Sequence, residues 1–360
     1  MDKARQTTKR AALHWTPIGV LLGLGLLLRL VVYGQNRSLR IDEANLALNI
    51  IERNGLEFFQ SLDYKQYCPP LQQLFFKTAV NLGGINEWAL KILPLLSGIA
   101  ALLLLYLLAK KWLDNGPILW YLLGLIACSH LMIRYSTELK QYSTDAAVAL
   151  FLLWYAGRSL YKTWVSKDYL LWAGLGMVAI WGSMPSIFIL AALGVVRLWR
   201  QPSWYLVGLG AFWVFHFWVY FWLILRQDAT TDYLQNFHEA YFWKGLPTSL
   251  AAWQHNFKLL INILTSVTDR TVLWLLLAAI GLVLGGVVLF RKSSADALLL
   301  ALPILFCGLA SSLGFYSLLP RLTLFFIPIL WLLLRIGLQW LWQQNRWWMQ
   351  GPLGVLLLIS

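Results

Sequence analysis

Residues 37–55, RSLRIDEANLALNIIERNG, stand just beyond the first long apolar run of the chain. Two adjacent carboxylates, Asp42 and Glu43, lie between arginines and an amphipathic stretch whose Leu46, Ile50 and Ile51 share one helical face. That pattern predicts a helix lying on a membrane surface. Two readings of Asp42 stand side by side. Its oxygen caps the helix by accepting orphan N–H groups, or it serves as a general base at the membrane surface, aided by Glu43. The two are compatible, because a capping position also holds a catalytic carboxylate in place.

The rest of the chain supplies the membrane. Of its 360 residues 59% are hydrophobic, only 12% are charged and 21 are tryptophan. A soluble domain carries about a quarter charged residues, so the composition defines an integral membrane protein. The net charge of +13 is scattered between apolar runs. That scatter points to membrane lipids and anionic lipid-linked substrates, not to nucleic acid. A spanning helix needs about 20 apolar residues. The candidates are 13–34, 88–109, 117–133, 145–164, 169–183, 185–199, 204–225, 271–290, 295–314 and 321–338. The expected fold is an all-α multi-span bundle of about 10–11 transmembrane helices, with surface helices in the first long loop. Residues 339–360 read as a cytoplasmic connection followed by a partial apolar run, 351–360. As helix that run covers about 15 Å, half a bilayer, which reads as a truncated chain or a re-entrant tail.

Charge sets the orientation. With the N-terminus inside, Lys3, Arg5, Lys9, Arg10, Lys110, Lys111, Arg158, Lys162, Lys167, Arg197, Arg200, Arg291, Lys292, Arg335 and Arg346 all fall on the cytoplasmic side. The basic N-terminus has no short apolar region ending at a cleavage site, so it reads as a retained cytoplasmic start in the inner (plasma) membrane. The extracytoplasmic loops are then 35–87, 134–144, 226–270 and 315–321. Polar chain gathers there, so function is expected there. Cys68, Cys128 and Cys307 have no metal-ligand spacing, and neither a D-x-D nor a histidine cluster argues for a metal, although a divalent ion is not excluded.

Three further segments carry chemistry. LDYKQYCPPLQQLFFK (62–77) offers Tyr64 and Lys65 before the stiff pair Pro69–Pro70, and reads equally as an ordinary loop over a helix that starts with proline. RYSTELKQYSTD (134–145) places Arg134, Glu138, Lys140, Tyr142 and Asp145 between very apolar runs, as groups facing one cavity or a neutralised hairpin. FYSLLPRLTLFFIPIL (315–330) opens its run with Arg321, which binds a phosphate or snorkels to a headgroup. Arg29, inside the first run, reads as a snorkelling side chain. His238 and His255 read as loop histidines, and FHEAYFWKGLPTSLAAW (237–253) as an amphipathic stretch laid along the membrane near the site.

In this order LRIDEANLAL, DYKQYCPPL, RYSTELKQYSTD and PRLTLFFIP resemble the GT-C glycosyltransferases over about residues 13–335. The relatives in view are protein O-mannosyltransferases, lipid A aminoarabinose transferases and bacterial proteins with an E-x-K-Q-Y-S-x-D segment. The resemblance implies an inverting transferase that takes sugar from a polyprenyl-phosphate donor to a hydroxyl of a lipid, glycan or protein acceptor, with no cofactor. It puts the base on Asp42 with Glu43 beside it, and Arg40 in the same motif. It further implies Pro69–Pro70 at the donor cavity, Glu138, Lys140 and Tyr142 at its rim, and Arg321 on the phosphate. In the aminoarabinose transferases a basic residue precedes the prolines. Here that position is Cys68, and Lys65 is the substitute. The chemistry fits independently, because a departing phosphate needs no general acid and a single base suffices. A transporter or flippase of a lipid-linked sugar is the alternative. It would place substrate groups near the midplane on broken helices, where this sequence is almost free of charge.

Overall fold

The structure, a computed structural model, describes residues 2–226, 236–266 and 272–344. The run 351–360 and Arg346 lie outside the described residues. Among those residues the chain is helical and has no strand. Its first half holds α1 (Asp2–Gly34), α2 (Ile41–Glu52), α3 (Pro70–Gly83), α4 (Glu87–Ala109), α5 (Pro117–Cys128), α6 (His130–Tyr135) and α7 (Tyr142–Ser159). Its second half holds α8 (Ser166–Gly182), α9 (Ser186–Arg200), α10 (Trp204–Tyr220), α11 (Leu250–Thr265), α12 (Val272–Lys292), α13 (Ser294–Ser312) and α14 (Ile327–Gln343). Pro17–Gly34, Glu87–Ala109, Trp204–Leu225, Leu275–Lys292 and Ser294–Ser312 are long and apolar enough to cross a membrane. The other apolar runs form shorter or more polar helices packed among these, and the whole is an all-α integral membrane protein.

Local chemistry decides where helices break. The run 117–133 is two helices, because Ser129 leaves the helical path and its hydroxyl accepts the Met132 N–H at 3.3 Å to start α6. The run 169–199 divides at Ser183–Pro185, between α8 and α9, as the proline suggests. The last run departs from expectation: Arg321 does not open a helix. Residues 320–326 coil through turns, and α14 begins at Ile327 with Pro328 in its first turn, where a ring without an N–H is tolerated.

Packing between helices uses close approach. A Cβ on Gly285 of α12 would lie 1.9 Å from the Leu333 carbonyl oxygen of α14, and one on Gly337 would lie 2.4 Å from the Gly281 oxygen. Gly281 and Gly285 are thus the small residues that let two membrane helices touch backbone to backbone. Arg29 corrects the snorkelling expectation. It is fully buried, and its guanidinium donates to the carbonyls of Gly25, Ile126 and Ala127, the last two being uncapped oxygens at the end of α5.

The first long loop folds onto the bundle. Leu46, Ala47 and Ile50 of α2 are buried with Phe76 and Val80 of α3, Leu90 of α4, Cys68 and Leu139. The apolar face of α2 is therefore covered by protein. Full burial of a side chain such as Leu46 or Ile50 contributes about 1.5–3 kcal/mol each.

Candidate active site

Four segments converge on one cavity of about 1030 Å³. Asp42 and Asn45 of α2 meet Tyr64–Tyr67, Lys140–Tyr142 with Asp145, and Arg321. The remaining walls are largely apolar: Ile187 and Phe188 of α9, Phe217 and Trp218 of α10, and Phe221 and Leu225 of the π-helical turn Phe221–Leu225 that extends α10.

The two acids of the opening motif have separate situations. The N-cap of α2 is Arg40, so Asp42 stands inside the first turn and is not the cap, which corrects that reading. Glu43 does the fastening. Its buried carboxylate accepts from both ends of the Arg37 guanidinium (2.7 and 3.1 Å), from the Arg40 N–H (3.0 Å) and from the Leu139 N–H (2.8 Å). Every strong acceptor position on Glu43 is filled, and the residue ties α2 to the 134–141 loop. Asp42 has a side chain 47% exposed and accepts no hydrogen bond among the described residues. Among the described residues its ion-pair partner is Lys140, with Nζ 3.6 Å from Oδ2.

The segment 134–145 is not a loop in solvent: Tyr135 to Asp145 are all buried. A glycine on the facing helix permits close approach at one point, since a Cβ on Gly98 of α4 would lie 2.4 Å from the Ser136 Cβ. Ser97 also meets Thr144 at 3.0 Å. Within the segment, Glu138 takes Arg134 at 2.7 Å, Arg40 at 3.3 Å and Arg37 at 3.7 Å. Arg40, Arg134 and Glu138 thus form a fastening beside the cavity and do not line it. Lys140 does line it. Its ammonium is almost fully buried, donates to Gln66 Oε1 at 2.7 Å, and is pushed below the usual lysine pKa by that burial. Asp145, also on the wall, accepts from the Ser183 hydroxyl at 2.7 Å.

Tyr64 and Lys65 line the cavity from a turn in which both have left-handed backbone (φ 60° and 53°), a conformation that costs a side-chain-bearing residue energy. Asn49 of α2 holds the turn, accepting from the Asp63 N–H at 2.9 Å and donating to its carbonyl at 3.3 Å. Lys65 is exposed, so Lys140 is the buried cation next to Cys68. Pro69 and Pro70 are buried and are not on the cavity wall: Pro70 starts α3, and Gln73 donates to the Cys68 carbonyl at 2.7 Å. Arg321 is carried by a turn fixed by Tyr316, whose hydroxyl donates to the Leu322 carbonyl at 2.8 Å. Its guanidinium lies 6.0 Å from the Tyr142 ring centre, and its buried Nε has no partner.

Two polar wall residues, His238 and Gln141, escaped the sequence reading of the site. His238, read as a loop histidine, lines the cavity with Phe237 and Phe242, and burial and nearby Arg321 hold its pKa below the usual value. Gln141 sits inside the quoted motif, where adjacency to Lys140 and Tyr142 was its only signal, whereas Asp145 was expected at the cavity and lines it. Among the described residues no three His, Cys, Asp or Glu side chains gather as a metal-ligand group.

An all-α membrane bundle with this cavity at the junction of its first long loop, α7 and a late arginine has the GT-C glycosyltransferase fold. Within that class it is similar to ArnT, the lipid A aminoarabinose transferase of Cupriavidus metallidurans. In the apo state the TM-score is 0.56 at 17% identity, over 91% of this chain and 60% of that one. Against ArnT bound to undecaprenyl phosphate it is 0.57 at 16%, over 94% and 63%. An oligosaccharyltransferase of Archaeoglobus fulgidus, in complex with Zn and sulfate, gives 0.52 at 12%, over 94% and 51%. The chain therefore spans half to two thirds of the length of these neighbours. By sequence, no protein-family model and no curated protein matches it.

Proposed function

We propose that the cavity is the site of an inverting glycosyl transfer on the extracytoplasmic face, from a polyprenyl-phosphate-linked sugar to an acceptor hydroxyl. The observation that carries this is the pairing of Asp42, a carboxylate that accepts no hydrogen bond among the described residues, with the buried Lys140 on the wall of a large, mostly apolar cavity that also holds Arg321. Such a cavity matches a ligand with a charged head and a long hydrocarbon tail, and one fold neighbour binds undecaprenyl phosphate. Lys140 and Arg321 take the phosphate. The acceptor oxygen forms its bond to the anomeric carbon as the bond from that carbon to the phosphate oxygen breaks. The acceptor proton goes to Asp42, and the electron pair leaves on the polyprenyl phosphate. Positioned donors of this kind are worth about 2.7–4 kcal/mol of barrier when one is removed.

The test is transfer from a panel of radiolabelled polyprenyl-phosphate sugars in membranes, wild type against Asp42→Asn at equal folded yield. Loss of transfer with donor binding retained supports the assignment. Equal transfer by the variant moves the base away from Asp42, and no transfer by wild type from any donor returns the question to transport.

A further inference from the structure

The wall of the cavity carries a residue to which the transfer chemistry assigns no task. Gln141 is 4% exposed, lies between Lys140 and Tyr142, and stands at the N-cap of α7. Its main-chain carbonyl accepts the Asp145 N–H at 2.8 Å, which sets the side chain at the start of that helix. Its side-chain Oε1 is buried with no hydrogen-bond partner, and no hydrogen bond reaches either end of its amide among the described residues. A second orphan sits on the same wall, the Nδ1 of His238. A buried polar atom left unpaired is costly, so an unpartnered amide on a cavity-lining residue marks where a ligand completes the bonding.

The type of orphan selects the type of ligand group. An ionised phosphate only accepts hydrogen bonds and does nothing for an amide oxygen. An isoprenoid tail offers neither donor nor acceptor. A hydroxyl both donates and accepts, so it satisfies the amide whichever end faces it, and it satisfies a neutral imidazole on either nitrogen. Lys140 and Arg321 remain suited to the anion, since each can only donate.

From this geometry we infer that Gln141, with His238, forms a hydroxyl-reading subsite for the sugar of the lipid-linked donor, distinct from the phosphate contacts at Lys140 and Arg321. The inference rests on the donor reading above and deepens it. The site recognises a sugar with a free hydroxyl near its phosphate-bearing carbon, and discriminates against a deoxy sugar or the bare lipid phosphate. Sites built to bond a hydroxyl reject analogues lacking it far more strongly than apolar pockets reject a missing methylene.

The experiment measures equilibrium binding of two probes to purified full-length protein: polyprenyl phosphate, and the same lipid phosphate carrying a hexose. The variants are Gln141→Met, which keeps the volume and removes the polar atoms, and Gln141→Glu, which keeps an acceptor oxygen. Thermal unfolding of each confirms a folded sample. Wild type is expected to prefer the sugar-bearing lipid, Gln141→Met to lose that preference about tenfold with polyprenyl phosphate binding unchanged, and Gln141→Glu to retain most of it. A tenfold loss corresponds to about 1.4 kcal/mol, one good hydrogen bond to a buried group. Equal weakening of both probes by Gln141→Met, or no change in either, overturns the subsite and leaves the transferase reading in place. If wild type binds neither probe, the donor reading falls and the subsite falls with it.

Discussion

Glu43 and Asp42 are adjacent acids, and replacing each by its amide should give opposite phenotypes. Glu43→Gln keeps the shape but swaps one acceptor for a donor that faces the Arg37 guanidinium and one backbone N–H, that of Arg40 or of Leu139. Breaking a buried charge pair costs about 3–5 kcal/mol. Arg37 has a side chain 31% exposed, so water recovers part of its charge and the lower end applies, about 3 kcal/mol. At 2–4 °C per kcal/mol that lowers the apparent Tm by on the order of 5–10 °C. Asp42→Asn removes a half-exposed carboxylate that accepts no hydrogen bond among the described residues and sits 3.6 Å from one ammonium. Its stability cost is below about 1 kcal/mol, whereas loss of a positioned base lowers turnover about 10²–10⁴-fold. Thermal unfolding and transfer rate, read on the same detergent preparations, separate the two. A destabilised but active Asp42→Asn alongside a stable, inactive Glu43→Gln would reverse the assignment and refute the reasoning.

Burial holds the Lys140 pKa below that of a free lysine, so affinity for polyprenyl phosphate should fall as pH rises through that depressed value, and Lys140→Arg, which stays charged, should flatten the fall; an unchanged alkaline limb removes Lys140 from the phosphate. The same shift has a stability sign: below the folded pKa the buried charge costs stability, and the cost is relieved as the proton leaves, so Lys140→Met should raise the apparent Tm at neutral pH while weakening lipid-phosphate binding. On the far side of the bundle, Gly285→Ala would drive a methyl to 1.9 Å from a backbone oxygen that cannot rotate away, and folded yield should collapse. Gly286→Ala, with nothing within 4 Å, should be neutral or stabilising by up to about 1 kcal/mol.

How much of this was legible depended on the range of the interaction involved. The spanning runs, the proline break at 183–185 and the start of α3 at Pro70 follow from local composition and backbone stereochemistry, and the sequence yields them directly. The separation of Asp42 from Glu43 does not. It depends on the Leu139 N–H, 96 residues away, which no local pattern announces. Arg29 was misjudged for a similar reason: whether an intramembrane arginine snorkels or stays inside depends on unmet carbonyls nearby, and those exist because α5 ends at Cys128. The close seat of Ser136 against α4 needs Gly98, a contact 38 residues away that no local pattern announces. His238 gave no signal as a lone histidine in an aromatic stretch, since its place on the wall is set by backbone contacts: the Tyr241 carbonyl accepts the Leu318 N–H at 2.9 Å, and Asn256 brackets Lys244 at 2.8 and 3.0 Å.

The charges around the cavity divide into two sets with different tasks. Arg37, Arg40 and Arg134 are answered by Glu43 and Glu138 at hydrogen-bonding or ion-pair distance, and that network joins α2 to the 134–141 segment without lining the cavity. Interactions so well satisfied have little left to give a ligand, but they fix the two backbones that carry Asp42 and Lys140. The second set is under-satisfied: Asp42 and Lys140 stand 3.6 Å apart, longer than a hydrogen bond, and the buried Arg321 Nε has no partner. An arriving anion would gain from both cations in a poorly hydrated wall, where such contacts are stronger than in water. Drawing Lys140 toward that anion would loosen its hold on Asp42 and free the carboxylate to accept a hydrogen bond. The saturated network therefore serves the unsaturated one: rigidity at Glu43 and Glu138 is what keeps the loose pair aimed at the same space.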